Sequence, residues 1–306
     1  MSILRQLFIK KNIELRAKII QSIREFFSQK DYLEVETPNR IPSPAIEAYI
    51  DAEQSGDYFL HTSPELCMKR LLAAGYPRIF QICKCYRSKE RGERHLSEFT
   101  ILEWYSVQSD YIYMMDECEA LIKNVAAKIC FGTEIIYQDK KISLNTSWDR
   151  MSVDEAFRRF ASISMDDAVA CDKFDEIISL EIEQNLGHEK PVFLYDYPSQ
   201  NASLSRIKPD NNSISERFEL YISGIELCNG FTELTDPVEQ RRRFEIELNQ
   251  RKILGKALYS MPEKFLKALS FMPESSGNAL GIDRLVMLFA NTTKIDDVVT
   301  FTQEEL

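Results

Sequence analysis

The sequence contains no apolar run near the roughly 18 residues a membrane span requires. Its opening Met-Ser-Ile-Leu-Arg-Gln-Leu lacks the apolar core and small-residue cleavage site of a secretory leader, so a cytoplasmic protein with no membrane partner is expected. Histidine is scarce (only His61, His95 and His188), which disfavours a histidine-rich metal site. The cysteines number seven, an odd and widely spaced set that argues against a disulfide framework. Their one close pair, Cys83-x-Cys85, sits in a strand-like run without zinc-site spacing, so buried structural thiols are expected. Basic residues are outnumbered by acidic ones, and the net charge of −10 opposes non-specific attraction to nucleic acid. Repeats, low-complexity tracts and linkers are also missing, which favours a single mixed α/β domain over 1–306. With 44% hydrophobic residues, such a domain has material for a sizeable core.

Hydrophobic spacing places a helix over 12–29, with Ile13, Ala17, Ile20, Ile23 and Phe27 on one stripe. Strand-like residues 32–36 stop at Thr37-Pro38, and prolines at 42 and 44 then force an extended loop. In Thr62-Ser63-Pro64-Glu65, Ser63 fits an N-cap and Pro64 a first helical residue, while Gly75 fits the C-terminal cap. Residues 79–87 and 98–105 alternate as two antiparallel strands joined by a long loop. A helical insertion is expected at about 111–190, from helical patterns over 111–130 and 152–187. A short strand ends at 195–198, a polar loop covers 199–213, and 217–234 is strand-like. Helices are expected at 237–254 and 283–291.

Four clusters carry chemistry. Lys84, Arg87, Lys89, Arg91 and Arg94 form a basic loop, either merely solvated or able to close on nucleotide phosphates. The strand after it puts Phe99, Ile101, Glu103 and Tyr105 on one face, a small-molecule floor or a half-exposed strand. Glu219, Glu226 and Glu233 recur seven residues apart, with a hairpin turn expected at Ser223-Gly224. An odd spacing sends Glu226 and Glu233 to opposite faces unless a bulge, expected at Asn229-Gly230, restores one face. Gathered carboxylates need cations, such as magnesium and an amine; solvent-facing acids are the alternative. Finally, Gly277-Asn278-Ala279-Leu280-Gly281-Ile282-Asp283-Arg284 brings small residues and an arginine to a helix start.

In this order the segments resemble the signature motifs of class II aminoacyl-tRNA synthetases of the lysyl subclass. Residues 31–38 resemble motif one, Tyr86-Arg87 through Tyr105 motif two, and Gly281–Leu285 motif three. The run Gly-Ile-Glu-Leu-Cys-Asn-Gly-Phe-Thr-Glu-Leu at 224–234 is most similar to the elongation factor P–(R)-β-lysine ligases, truncated relatives of lysyl-tRNA synthetase. Motif one is complete by Pro38, which leaves no room for an anticodon-binding barrel of roughly 100 residues.

The resemblance implies an α/β (α+β) fold, an antiparallel sheet flanked by helices without an anticodon-binding domain, and a homodimer about motif one. It implies ATP-dependent activation of (R)-β-lysine, or lysine, and transfer to a lysine of elongation factor P, with Mg2+ as cofactor. A paralogue with another acceptor, or a non-catalytic binding module, is the alternative. Ser63, Pro64 and Glu65 are implied to hold the α- or β-ammonium; Glu233 and Tyr105 the distal ammonium; Glu103 and Asn229 the pocket between. Ala279, where lysyl-tRNA synthetases usually have glycine, is implied to tune the isomer. Arg87 is implied to bind the α-phosphate, His95 and Arg284 the outer phosphates, and Phe99 to stack on adenine. Ser88, Lys89, Glu90, Leu96, Leu227 and Gly281 would line the nucleotide, with Glu219 and Glu226 on magnesium. Two positions depart from the family pattern: Lys89 replaces a glutamate that contacts adenine, and Leu96 an asparagine.

Overall fold

A computed structural model describes residues 2–129 and 131–306, with side chains from Arg5 onward. Cys130, the end of the helix expected over 111–130, lies outside the described residues, as does Met1. The chain opens with α1 (Ser2–Gln29). Its buried stripe is Ile9, Ile19, Ile23, Phe26 and Phe27, whereas Ala17, expected inside, is exposed. The Phe27 ring stacks on Phe80 at 4.7 Å and so docks the helix on the sheet. Only β1 (Leu33–Glu34) of the strand expected over 32–36 pairs as a ladder. Three short strands, β2 (Arg40–Ile41), β3 (Gln54–Ser55) and β4 (Tyr58–Leu60), form a small separate sheet.

Next comes α2 (Glu65–Ala73). The Ser63 hydroxyl accepts from the Glu65 N–H at 3.0 Å, Pro64 occupies the cap position itself, and Gly75 (φ 94°) turns the chain away. The two expected strands are β5 (Arg78–Tyr86) and β6 (Glu98–Val107), followed by α3 (Tyr111–Lys128). The stretch 111–190 is not helical throughout. It holds a hairpin of β7 (Glu134–Tyr137) and β8 (Lys140–Ser143), and then β9 (Asp149–Ser152), which joins the main sheet. The pattern over 152–187 breaks into α4 (Val153–Phe160), α5 (Met165–Ala170), α6 (Phe174–Ile177) and tight turns. Ser164 caps a fresh helix there, and Asp172 at φ 57° separates it from the next.

The remaining strands are β10 (Val192–Pro198), β11 (Ile207–Lys208), β12 (Asn211–Ile222), β13 (Ile225–Thr232) and β14 (Ser275–Gly281). Between and after them lie α7 (Pro237–Ile253), α8 (Glu263–Leu269) and α9 (Ile282–Phe289). The main sheet runs β1-β5-β6-β14-β13-β12-β10-β9, with β11 beside β12; its centre is antiparallel and its two end pairs are parallel. Helices α1, α3 and α9 cover one face through a core containing Phe27, Trp104, Leu121, Phe218 and Leu285. The Ser223-Gly224 turn forms as expected, both residues at positive φ (53° and 68°). The bulge does not fall at Asn229-Gly230. Leu220 pairs with Cys228 and Tyr221 with Glu226, so the extra residue is Leu227. Gly230 is instead small because a Cβ there would lie 2.5 Å from the Phe218 ring.

Candidate active site

The face of the sheet opposite the helical core is the floor of a cavity of about 410 Å³. Strand register builds it in rows. One row crosses five strands as Gln81, Glu103, Ala279, Asn229 and Glu219, and the next as Ile79, Tyr105, Gly277, Phe231 and Arg217. The alternation expected for 98–105 holds, since Phe99, Ile101, Glu103 and Tyr105 all line the cavity. The bulge at Leu227 returns Glu226 to the side of Glu233, and both reach the cavity with Glu219.

At one end lies a buried acid cluster. Lys69, 1% exposed, is paired with Glu65 at 2.6 Å and Glu233 at 2.5 Å. Glu103 accepts from Ser63 Oγ at 2.9 Å and from the Tyr105 hydroxyl. Burial, and the neighbouring Glu65, push Glu103 up to about 8 against the hydrogen bonds from Tyr105 and Ser63. Burial likewise pushes Glu233 up to about 8, with Lys69 pulling the other way. Burial lowers Lys69, but Glu233 and Glu65 outweigh it and hold the ammonium above its usual range. When all three buried carboxyls are ionised, one cation leaves them short of two positive charges, and among the described residues no hydrogen bond of good geometry satisfies either Glu233 oxygen. Gly277 makes room here, since a Cβ would lie 2.6 Å from Glu233 Oε1 and closer still to the Tyr105 ring.

At the other end lie the cations. Arg87 sits with its guanidinium 5.0 Å over the Phe99 ring, paired with Glu90 at 3.6 Å, and among the described residues its buried Nε has no hydrogen-bond partner. Arg284 donates to Glu226 O at 2.8 Å and to His95 Nε2 at 2.6 Å. Partial burial and the Arg284 charge hold His95 below its ordinary range, so a neutral ring accepts that bond. Asp283 fixes α9 to β6 by accepting from the Thr100 N–H at 2.8 Å and pairing with Arg16. Leu96, Leu227 and Gly281 complete this end.

Of the residues the resemblance assigned to the site, Pro64, Ser88 and Lys89 do not line the cavity. Pro64 sets the cap of α2, and the Ser88 N–H donates to Asp51 O at 2.6 Å. Lys89 adopts φ 63° and is exposed, whereas the adjacent Glu90 is in the wall. For magnesium the two assigned carboxylates are unequal. Among the described residues Glu226 pairs only with Arg284, and it is 37% exposed at its side chain, whereas Glu219 already accepts from Tyr197, Tyr221 and Arg217. Glu226 therefore fits a cation that also binds phosphates, with Glu219 behind it. Among the described residues, the one group of three ligand atoms within 4.8 Å of one another is His61, Cys83 and Cys85, but His61 Nε2 is already 2.7 Å from Lys84 O.

Sequence reasoning missed Lys69, Arg217 and Glu183. A lysine in an amphipathic helix reads as solvent-facing; its position four residues after Glu65 was the available signal. Arg217 donates to Asn229, Glu219 and Asn201 O, and so holds the cavity wall. Burial and the charges of Glu226 and Glu219 push Glu183 up to about 7.

The family model for class II tRNA synthetases (D, K and N) matches residues 1–305. The chain is 38% identical to the elongation factor P–(R)-β-lysine ligase of Pectobacterium atrosepticum, over 96% of this chain and 95% of that protein. It is 38% identical to the protein of that name from Haemophilus influenzae (95% and 94%), and 36% to that of Sodalis glossinidius (96% and 95%). The chain therefore belongs to the class II tRNA synthetases, in the family of elongation factor P–(R)-β-lysine ligases.

Proposed function

We propose that this chain, acting as one catalytic unit over 1–306, uses ATP to activate (R)-β-lysine, or lysine, and passes it to a lysine side chain of elongation factor P. The observation that carries the reading is the charge balance of the acid cluster. Ionised, its three carboxyls and Lys69 lack two positive charges, which matches a substrate with two ammonium groups, whose carboxylate then faces Arg87. Glu65 beside Ser63 holds the ammonium near the carboxylate; Glu233, with Tyr105 beside it, holds the distal one; Glu103 and Asn229 line the space between. Adenine stacks on Phe99 as Arg87 leaves that ring for the α-phosphate, and Glu90 takes the place of the family's glutamate. His95 and Arg284 hold the outer phosphates. Magnesium, when bound, neutralises phosphate charge, and Glu226 with Glu219 would hold it.

The substrate carboxylate attacks the α-phosphorus, forming the acyl-adenylate and releasing pyrophosphate. No side chain of this chain need form a covalent intermediate, because alignment and charge stabilisation account for the step. The acceptor amine then attacks the activated carbonyl and AMP leaves. Motif-one contacts between two copies complete the proposal: α1 and β1 leave Phe8 and Leu33 exposed, surface a dimer would cover. No described helix is long and apolar enough to cross a membrane, which suits a cytoplasmic enzyme. Intact-mass spectrometry of elongation factor P after incubation with enzyme, ATP and (R)-β-lysine tests the reading. A gain of one lysyl unit is expected; activation without any gain points to another acceptor.

Two further outcomes follow from the same pocket. Glu103 and Glu233 lie near 8 in the free chain, and a cationic substrate binds only their ionised forms. Lysine affinity is therefore weak below about pH 7, strengthens as pH rises towards 8, and levels above it, by up to roughly tenfold per unit for each proton released. The KM for lysine in pyrophosphate exchange from pH 6 to 9 measures this, and a flat profile contradicts it. Ala279 stands in the floor between Glu103 and Asn229. Removing its methyl in Ala279→Gly is expected to shift the kcat/KM ratio of (R)-β-lysine to α-lysine by roughly 10-fold or more towards α-lysine.

A further inference from the structure

The strap over residues 42–52 is tied down on two sides. Arg251, wholly buried in α7, donates to Glu47 O and Ile50 O, and to Asp51 Oδ1, each at 2.8 Å. The Ala48 N–H donates to Glu247 at 2.6 Å, and Asp51 O accepts from Ser88 in the loop between β5 and β6. From this fixed backbone the half-buried Glu47 enters the cavity wall, the one carboxyl of the strap that does so. Among the described residues its carboxylate accepts no hydrogen bond. The charged groups facing it are Arg87 and Glu65 from the cavity, Glu247 from α7 and Arg217 from β12. In the function given above Arg87 takes the α-phosphate and Glu65 the ammonium near the carboxylate, and Glu47 shares the cavity wall with both.

We propose, resting on the function given above, that Glu47 is the base that removes the proton from the acceptor lysine. An acceptor ammonium N–H gives its proton to a Glu47 carboxylate oxygen. The freed lone pair forms the C–N bond to the adenylate carbonyl, the C–O bond to the phosphate breaks, and AMP leaves, taking a second proton from nitrogen on its phosphate so that the amide keeps one. A free lysine ammonium ionises near pH 10, so at neutral pH it is almost entirely protonated and the step requires such a group. Burial raises Glu47 to about 7, with Glu65 and Glu247 adding to it against Arg87 and Arg217. A base in that range both accepts and releases a proton under working conditions.

The test compares Glu47→Gln and Glu47→Asp with the natural chain in three assays: lysine-dependent pyrophosphate exchange, trapping of the adenylate by hydroxylamine, and single-turnover transfer to elongation factor P. Hydroxylamine is unprotonated at neutral pH and needs no base. The expected result for E47Q is a fall of roughly 100-fold in the ratio of transfer to trapping. Natural-chain transfer rises with pH to about 7 and then levels; E47Q transfer continues to rise about tenfold per unit towards the acceptor's own ionisation. E47D recovers part of the ratio. An unchanged ratio in E47Q overturns the proposal, as does an equal loss in all three assays, which reads as a distorted strap. Should the natural chain trap with hydroxylamine but leave the factor unmodified, the acceptor reading fails. The same ratio is then read with N-α-acetyl-lysine amide as the amine, and an unchanged value there overturns the role of Glu47.

Discussion

Replacing Arg87 by glutamine is expected to lower the kcat of lysine-dependent pyrophosphate exchange by on the order of 10³-fold, with a much smaller change in the KM for ATP. Among the described residues the Nε of Arg87 is a buried donor without a partner, and its guanidinium rests on the Phe99 ring at the cationic end of the cavity. Charge on the α-phosphate oxygens grows as the carboxylate attacks, so a donor held there binds the transition state more strongly than ATP itself. Glutamine keeps some hydrogen bonding and loses the charge. A rise in the KM for ATP with kcat unchanged would instead make Arg87 a ground-state binding residue. The exchange rate at saturating ATP and lysine separates the two.

Replacing Glu233 by glutamine is expected to raise the KM for lysine by roughly 10²-fold, equivalent to about 3 kcal/mol for a charged partner lost from a buried site. The same substitution is not expected to lower the melting temperature. A carboxyl whose ionisation lies near 8 in the folded chain binds its proton more tightly there than when unfolded. Ionising it therefore lowers stability progressively as pH rises from about 4 towards 8, and a neutral isostere removes that cost. Lys69 keeps Glu65 as its counter-charge at 2.6 Å. A binding site strained in this way, relieved by its ligand, makes activity and stability move in opposite directions. Thermal unfolding at pH 7.5 beside the KM measurement checks both halves. A stability loss that matched the loss of binding would show Glu233 to be a structural residue.

Much of this site was legible because its strongest signals are local. Period-two alternation over 98–105 put Phe99, Glu103 and Tyr105 on one face, and register with the neighbouring strands kept them there. The need for a bulge between Glu226 and Glu233 followed from their odd spacing alone, but its position did not. Asn229-Gly230 has the residue types of a bulge, yet Gly230 is fixed by the Phe218 ring against it, and the extra residue moved to Leu227. The central strand β14 gave no strand signal at all. Ser-Ser-Gly-Asn-Ala-Leu-Gly has no β-branched or aromatic residue, because a floor strand beneath a ligand must be small, as Gly277 against Tyr105 shows. Lys69, Arg217 and Glu47 escaped for another reason. Each acquires its meaning only from partners distant in sequence or from the cavity that the fold creates.

On the proposed function the cavity adenylates an amino acid with two ammonium groups. Pyrophosphate exchange measured with (R)-β-lysine, α-lysine and norleucine, the last being lysine without its distal ammonium, tests it most directly. Exchange is expected with a lysine isomer and essentially none with norleucine, whose single charge leaves Glu233 and its neighbours uncompensated. Equal exchange with norleucine, or none with any lysine isomer, would contradict it.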